Sequence, residues 1–169
     1  ENRVLAGSVA RGRALDCFAY HGSFALHLAG NSRTVVALDS SRDALERGAS
    51  NASLNGLGNI EWREADAFET LRARERFDTI VLDPPAFAKT RSAVPAAVRG
   101  YHEVNLRAMR CLAPGGVLLT ASCSFHLRLP AFLAMLEEAS ADSVRRILLR
   151  QVLGQPADVP EVLTIQLDP

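Results

Sequence analysis

The feature that most constrains this chain is an alternation. Short apolar runs, most of them ending at a polar or acidic residue, take turns with longer stretches of helical periodicity. Residues 14–18, 34–38 (TVVAL, rich in β-branched side chains), 60–63, 77–82 and 117–121 read as strands. Residues 144–153 and 162–167 read as two closing strands. Residues 23–29, 41–54, 96–112 and 130–141 carry helical patterns. In 41–54, Ala44, Leu45, Ala49, Ala52 and Leu54 fall near one face, and Asn55-Gly56 supplies a stop. Pro114-Gly115-Gly116 stops the next long helix. Strands alternating with helices imply βαβ units, so the expected fold is α/β: a central, mostly parallel seven-stranded sheet flanked by helices on both faces. Ligands of such sheets sit beyond the carboxyl ends of the strands, near the topological switch point. That rule singles out Gly22, Asp39, Asp66, Asp83 and Cys123.

At 169 residues, one domain spanning 1–169 is expected, large enough to bury its own core. Lys plus Arg and Asp plus Glu both number 19, so no net positive charge marks the whole chain as a nucleic-acid binder. Lys89 is the sole lysine. Three cysteines, Cys17, Cys111 and Cys123, with no framework spacing, fit a reducing compartment and hence the cytoplasm. No apolar run approaches a membrane span, and no signal peptide opens the chain. Neither a membrane nor a metal is expected as a partner, and a homodimer stays open. Because it starts at Glu1-Asn2-Arg3 rather than Met, the sequence reads as a piece of something longer.

The loop Phe18-Ala19-Tyr20-His21-Gly22-Ser23-Phe24 lacks the G-x-G-x-x-G of a dinucleotide site, and no G-x-x-x-x-G-K-[ST] occurs anywhere. A single glycine after a strand is by itself an ordinary turn. Asp39 changes that balance. It ends the second strand, and an ionised carboxylate there can accept both ribose hydroxyls of an adenosine. The plainer reading is a helix cap for the stretch that begins at Ser41. Asp66 stands where an adenine amino group can be held, while Phe68 reads as core.

Asp83-Pro84-Pro85-Ala86-Phe87 follows the fourth strand. Its two prolines fix the backbone and donate nothing, which leaves a rigid, carbonyl-lined edge beside a carboxylate. Such an edge suits the exocyclic amine of a planar base held by Asp83 and stacked near Phe87; the alternative is a stiff turn carrying a surface acid. Cys17 and Cys111 read as small buried hydrophobes. Cys123, between Ser122 and Ser124 and close to His126, lies at the carboxyl edge of the sheet, and a polar neighbourhood there is where a reactive thiolate is expected. Cysteine is a suitable nucleophile for addition to a pyrimidine ring.

These residues lie within the runs LDCFAYHGSFALHLA, VVALDSSRDALERGASNASLNGL, EADAFE, FDTIVLDPPAFAK and RGYHEVNLRAMRCLAPGGVLLTASCS. Together they resemble the cytosine-C5 methyltransferases of large-subunit (23S) ribosomal RNA, over roughly residues 13–129. The resemblance implies a Rossmann-like class I methyltransferase fold, S-adenosyl-L-methionine as cofactor and structured ribosomal RNA as substrate. It places the nucleophile on Cys123 and the base-edge acid on Asp83. It places the cofactor contacts on Phe18, Tyr20, Gly22, Asp39, Ser40, Asp66, Ala67 and Asp83. Substrate contacts fall on Pro84, Pro85, Phe87, Lys89, Arg99 and Tyr101, with Asn105 in the same RGY-x-x-x-N segment serving packing or substrate positioning. Lys89 and Arg99 would meet RNA phosphates, or else be solvated surface charges. Two departures stand out. The small PUA-type RNA-binding domain that normally precedes this region is absent from the sequence, and where the family shows Asp-His-Pro this chain has Ala157-Asp158-Val159-Pro160-Glu161. The alternatives are a methyltransferase acting on an exocyclic base nitrogen, for which Cys123 is superfluous; a small-molecule methyltransferase; and a catalytically silent RNA-binding or assembly protein.

Overall fold

The computed structural model describes residues 2–153 in full and 161–167 as backbone. Its elements, in chain order, are α1 (Asn2–Val9), β1 (Arg13–Cys17), α2 (Ser23–Ala29), β2 (Thr34–Asp39), α3 (Arg42–Leu54), β3 (Ile60–Glu64) and α4 (Ala67–Arg72). There follow β4 (Phe77–Leu82), α5 (Val94–Cys111), β5 (Leu112–Ser122), α6 (Leu129–Ser143), β6 (Ile147–Leu153) and β7 (Glu161–Leu167). The sheet order is β3-β2-β1-β4-β5-β7-β6. The first five of these strands pair in parallel, and β7 runs antiparallel to both β5 and β6. The order reverses between β1 and β4, so the switch point, and the crevice it opens, lies above those two strands.

Period-two alternation divides the strand residues between two cores. Leu15, Val36, Leu38, Ile80 and Leu118 pack with Tyr101, Met109 and Phe132 of α5 and α6. Ala14, Val35, Ala37, Val81 and Leu119 pack with Ala6, Ala25 and Leu28 of α1 and α2. Carried upward, this alternation sends Asp16, Asp39 and Asp83 to the α1–α2 face of the three adjacent strands β2, β1 and β4.

Several elements depart from the sequence expectation. Helices α1 and α4 were not anticipated: α4 has only six residues, too few to display a period, and forms because the Asp66 side chain caps it, accepting from Glu69 N at 2.9 Å. Helix α5 starts at Val94, with Pro95 in its first turn where a missing N–H costs nothing. It ends at Cys111 and passes directly into β5, and Pro114-Gly115-Gly116 bulges from that strand rather than stopping the helix: Leu112 pairs Phe77, and the ladder resumes only at Val117 with Thr79. Strand β6 starts at Ile147, since Val144 takes the left-handed C-cap of α6 (φ 58°). The loop 157–160, where the family motif was missed, lies outside the described residues. Among the described residues no helix is long and apolar enough to cross a membrane.

One packing feature sits under the site and was not visible in the sequence. The Trp62 indole of β3 lies between two glycines. A Cβ built on Gly22 would stand 2.3 Å from its Cη2, and one on Gly48 of α3 would stand 2.3 Å from its Cζ3. Glycine at position 48 is therefore a matter of volume. Gly48→Ala is expected to lower stability by about 1–3 kcal/mol through overpacking, despite a helix-propensity gain of about 1 kcal/mol. Thermal unfolding checks this, and Gly48→Ala placed in a Trp62→Leu background is expected to lose the penalty.

Candidate active site

The loop after β1 is held in an unusual conformation. Phe18 and Tyr20 are non-glycine residues in the left-handed region, at φ 64° and 50°. Each costs about 1–3 kcal/mol and persists only where its surroundings hold it. Here the end of β2 does so. Ala19 N donates to Leu38 O at 2.9 Å, and Tyr20 N donates to Asp39 Oδ2 at 2.8 Å. The other oxygen of Asp39 accepts from Ser41 N at 2.9 Å. Asp39 is thus not the cap of α3, which is Ser41, whose hydroxyl accepts from Ala44 N. With one amide on each oxygen, the carboxylate still has lone pairs to offer a ligand. Gly22 follows at φ 74°, a conformation and a space that only glycine fits. Tyr20 and Ser40 are exposed beside this loop, and Phe18 is half-buried against the larger core.

Sequence reasoning missed Asp16. It is the penultimate residue of β1, inside an apolar strand, and only 1% of it is exposed. Its Oδ2 accepts from Ala25 N at 2.8 Å, capping the first turn of α2. Its Oδ1 is buried and has no partner. Burial, with smaller contributions from the negative charges of Asp83 and Asp39, pushes this carboxyl up to about 8 against the opposing pull of the Ala25 amide. Three acids therefore share one face, with Asp16 deepest, a cluster that favours a cationic ligand.

Asp83 is half-buried above β4. Desolvation raises its carboxyl above the ordinary range, while the hydrogen bond from Cys123 and the charge of Arg3 on α1 pull it back. Cys123 Sγ donates to Asp83 Oδ1 at 3.7 Å. The two residues chosen for the chemistry are thus brought together, yet the thiol is not the ready thiolate that its polar neighbours suggested. Partial burial, then the negative charge and hydrogen bond of Asp83, push it up to about 11. Burial and the neighbouring acid act in the same direction, while the His126 ring packs edge-on against Phe125.

Other expected contacts fall differently. Tyr101 does not reach a substrate. It is fully buried, and its hydroxyl pairs with Ser124 Oγ at 3.0 Å. Ser124 Oγ also accepts from Ala88 N at 3.0 Å, so Tyr101 braces the loop after β4 to the loop after β5. Phe87 packs on Tyr101 (centroids 4.6 Å apart) and near Phe68 (6.4 Å) rather than standing free to stack on a base, and Gly100 admits it, a Cβ there lying 3.2 Å from its ring. Asn105 is buried on α5 and donates to Tyr101 O, a packing role. Pro84 is buried and Pro85 exposed. Asp66 is exposed and caps α4, and the Ala67 side chain belongs to the larger core. Cys17 and Cys111 are buried and Phe68 packs on the core, as expected. Lys89 and Arg99 are exposed, with no ion-pair partner among the described residues.

The S-adenosylmethionine-dependent methyltransferase family matches residues 2–166. The chain belongs to that family. It is similar to ribosomal RNA large subunit methyltransferase I of Aeromonas hydrophila, 39% identical over 168 residues, covering 95% of this chain and 42% of that protein. The Citrobacter koseri protein of the same name is 40% identical over 159 residues, covering 90% and 40%. The chain therefore spans about two fifths of the length of these relatives. In fold it is similar to a putative methyltransferase solved in complex with SAH (TM-score 0.82, 19% identity, 98% of this chain and 47% of that one). TrmN from Thermus thermophilus gives a TM-score of 0.71 at 25% identity, covering 98% and 48%. The Rossmann-like methyltransferase fold and the S-adenosylmethionine cofactor expected from the sequence thus hold.

The residues present fit that cofactor. It carries a sulfonium and an ammonium, and the site offers a carboxylate cluster with an unpartnered buried oxygen on Asp16. Its ribose hydroxyls suit the spare lone pairs of Asp39.

Two outcomes follow from the charges. Because Asp16 binds its proton more tightly folded than unfolded, the ligand-free protein loses stability as the pH rises from the ordinary value of 3.8 to about 8. Asp16→Asn removes that loss, so the melting temperature of the variant minus that of the native protein is expected to grow across this window and level off above it. For Cys123, Asp83→Asn removes the charge that raises the thiol. Iodoacetamide labelling of Cys123 at pH 8 is expected to be slow in the native protein and faster in the variant; equal rates count against the pairing.

Proposed function

We propose that the chain is the catalytic domain of a methyltransferase that forms 5-methylcytosine in large-subunit ribosomal RNA, with Cys123 as nucleophile. The observation that carries this reading is the Cys123–Asp83 pair at the carboxyl edge of the sheet, 3.7 Å from sulfur to oxygen, beside a carboxylate cluster suited to a cationic methyl donor. The names of the curated relatives support ribosomal RNA as the substrate.

S-adenosylmethionine, when bound, supplies an electrophilic methyl group. Asp39 would hold its ribose and Asp16 its ammonium. The protein does the rest. A cytosine leaves its stack and lies along the Asp83-Pro84-Pro85 edge. Cys123 Sγ bonds to carbon 6 while the thiol proton passes to Asp83, which shares it with ring nitrogen 3. The electron pair of the carbon 5–carbon 6 double bond moves onto carbon 5, the position that becomes methylated. The carbon 5 proton then leaves to water, the double bond re-forms, and the expelled Cys123 recovers the proton held by Asp83 and the ring nitrogen. A raised thiol is compatible with this sequence because its base is already hydrogen-bonded to it, and the raised carboxyl of Asp83 makes it a better proton acceptor.

A rival reading, transfer to an exocyclic base nitrogen, needs an aromatic wall beside the proline edge. Phe87 is instead half-buried, with its ring packed on Tyr101 against the core, which favours the cysteine route. Lys89 and Arg99, exposed and without an ion-pair partner among the described residues, are suited to RNA phosphates.

Nucleoside mass spectrometry on unmodified large-subunit RNA treated with the full-length protein tests the proposal. The native protein is expected to yield 5-methylcytidine, and Cys123→Ala none. Asp83→Asn is expected to lose about 10²–10⁴-fold in rate, as for removal of a general base. A methylated base nitrogen, or an active alanine variant, overturns the cytosine reading.

A further inference from the structure

The loop after β5 carries a feature that the chemistry above does not use. Ser124, buried, and Leu127, buried, anchor a tight turn closed by Leu127 N donating to Ser124 O at 2.9 Å. Between them Phe125 is held out with 75% of its surface exposed. A phenyl ring at the tip of an anchored turn has no fold-related reason to face water, because neither of its two anchors depends on it. Its neighbours give it a shape. The His126 ring meets it edge-on at 5.4 Å and 81°, and the Arg128 guanidinium lies 5.8 Å from its centroid. Arg128 has no ion pair among the described residues. An exposed aromatic ring backed by a guanidinium, two residues beyond the nucleophile, is the pairing that single-stranded nucleic acid requires: a π-face for a base and a positive charge for the phosphate beside it.

We propose that Phe125 is a stacking platform for an unpaired nucleobase next to the reacting cytosine, with Arg128 holding the adjoining phosphate. The idea rests on the RNA reading above and deepens it. Single-stranded segments, rather than duplex, are what this surface takes, because a base must be unstacked to lie on the ring. Phe125 acts as a positioning residue: it fixes the strand so that the target presents its ring to Cys123.

The test uses the full-length protein and a short fluorescein-labelled single-stranded oligoribonucleotide, followed by anisotropy, with a duplex of the same sequence as control. Phe125→Ala is expected to weaken binding of the single strand by roughly tenfold to a hundredfold, the value of one base–aromatic stack. Phe125→Trp is expected to keep the affinity and Phe125→Leu to lose it. S-adenosylmethionine affinity, read by calorimetry, is expected to be unchanged in all three, showing that the fold is intact. Arg128→Gln is expected to reduce the salt slope by about one. The proposal is overturned if Phe125→Ala binds like the native protein, if leucine serves as well as tryptophan, if the native protein does not bind the strand, or if Phe125→Ala changes only the oligomeric state. Should the strand bind through Phe125 while no 5-methylcytidine forms, the cytosine reading fails and the platform stands.

Discussion

The Asp16 carboxyl ties the sheet to α2 and is the deepest acid of the cluster at the switch point. One oxygen caps α2 by accepting from Ala25 N, and the other is buried without a partner. An apolar residue at that position would leave an α2 amide unsatisfied, at a cost of about 1–3 kcal/mol. A fully solvated acid would not be raised. The chain instead keeps a carboxyl where ionisation is unfavourable, with Asp39 and Asp83 one layer higher on the flanking strands and adding to the repulsion. Burial of this kind is found where a protein awaits an opposite charge, and the cofactor of the family is a cation.

Rigid loops turn that electrostatic arrangement into a site. The loop after β1 carries two residues in left-handed conformations, and the end of β2 holds it, Leu38 O by the Ala19 amide and Asp39 by the Tyr20 amide. The loops after β4 and β5 are joined through the Tyr101–Ser124–Ala88 hydrogen bonds, so that the residue next to Cys123 is tied to the loop that begins at Asp83. Tyr101 thus braces, from within the core and through Ser124, the loop that carries Cys123. A Tyr101→Phe change would leave the packing intact and free Ser124, separating its bracing role from its bulk.

Much of this was legible along the chain, for a physical reason. Strand-end residues are set by the alternation of apolar runs, and that alternation is strong at 34–39 and 77–83, so Asp39 and Asp83 stood out. Cys123 followed from its place after the fifth run. What stayed hidden depends on contacts between distant segments. Asp16 lies inside a strand, where nothing local distinguishes a cap donated to another element from a surface acid. Phe87 reads as substrate-facing from its place after the proline turn, and Tyr101 enters only through the RGY-x-x-x-N resemblance, which leaves packing and substrate positioning open; the packing of α5 over β4 shows both facing inward. The pairing of Trp62 with Gly22 and Gly48 spans three elements. The raised thiol of Cys123 was misread because flanking serines were weighed and the acid forty positions earlier was not.

The zero net charge of the chain, which spoke against RNA, becomes compatible with it once the charges are placed. Many acids are spent inside the protein or on arginines: Glu75 on Arg13 and Arg63, Glu64 on Arg42, Glu103 on Arg107, and Asp16 on a helix end. Cations without an ion-pair partner among the described residues include Lys89, Arg91, Arg99 and Arg128, and all four lie on the segments that follow β4 and β5. The carboxyl edge of the sheet is therefore acidic in its depth and basic at its rim. A cationic methyl donor is favoured below and a polyanion above, and Cys123 and Asp83 stand at the boundary where the two would meet. A count over the whole chain averages these layers to nothing; the fold separates them, and that separation is what the proposed function requires of one small domain, a cation and a nucleic acid meeting at a single site.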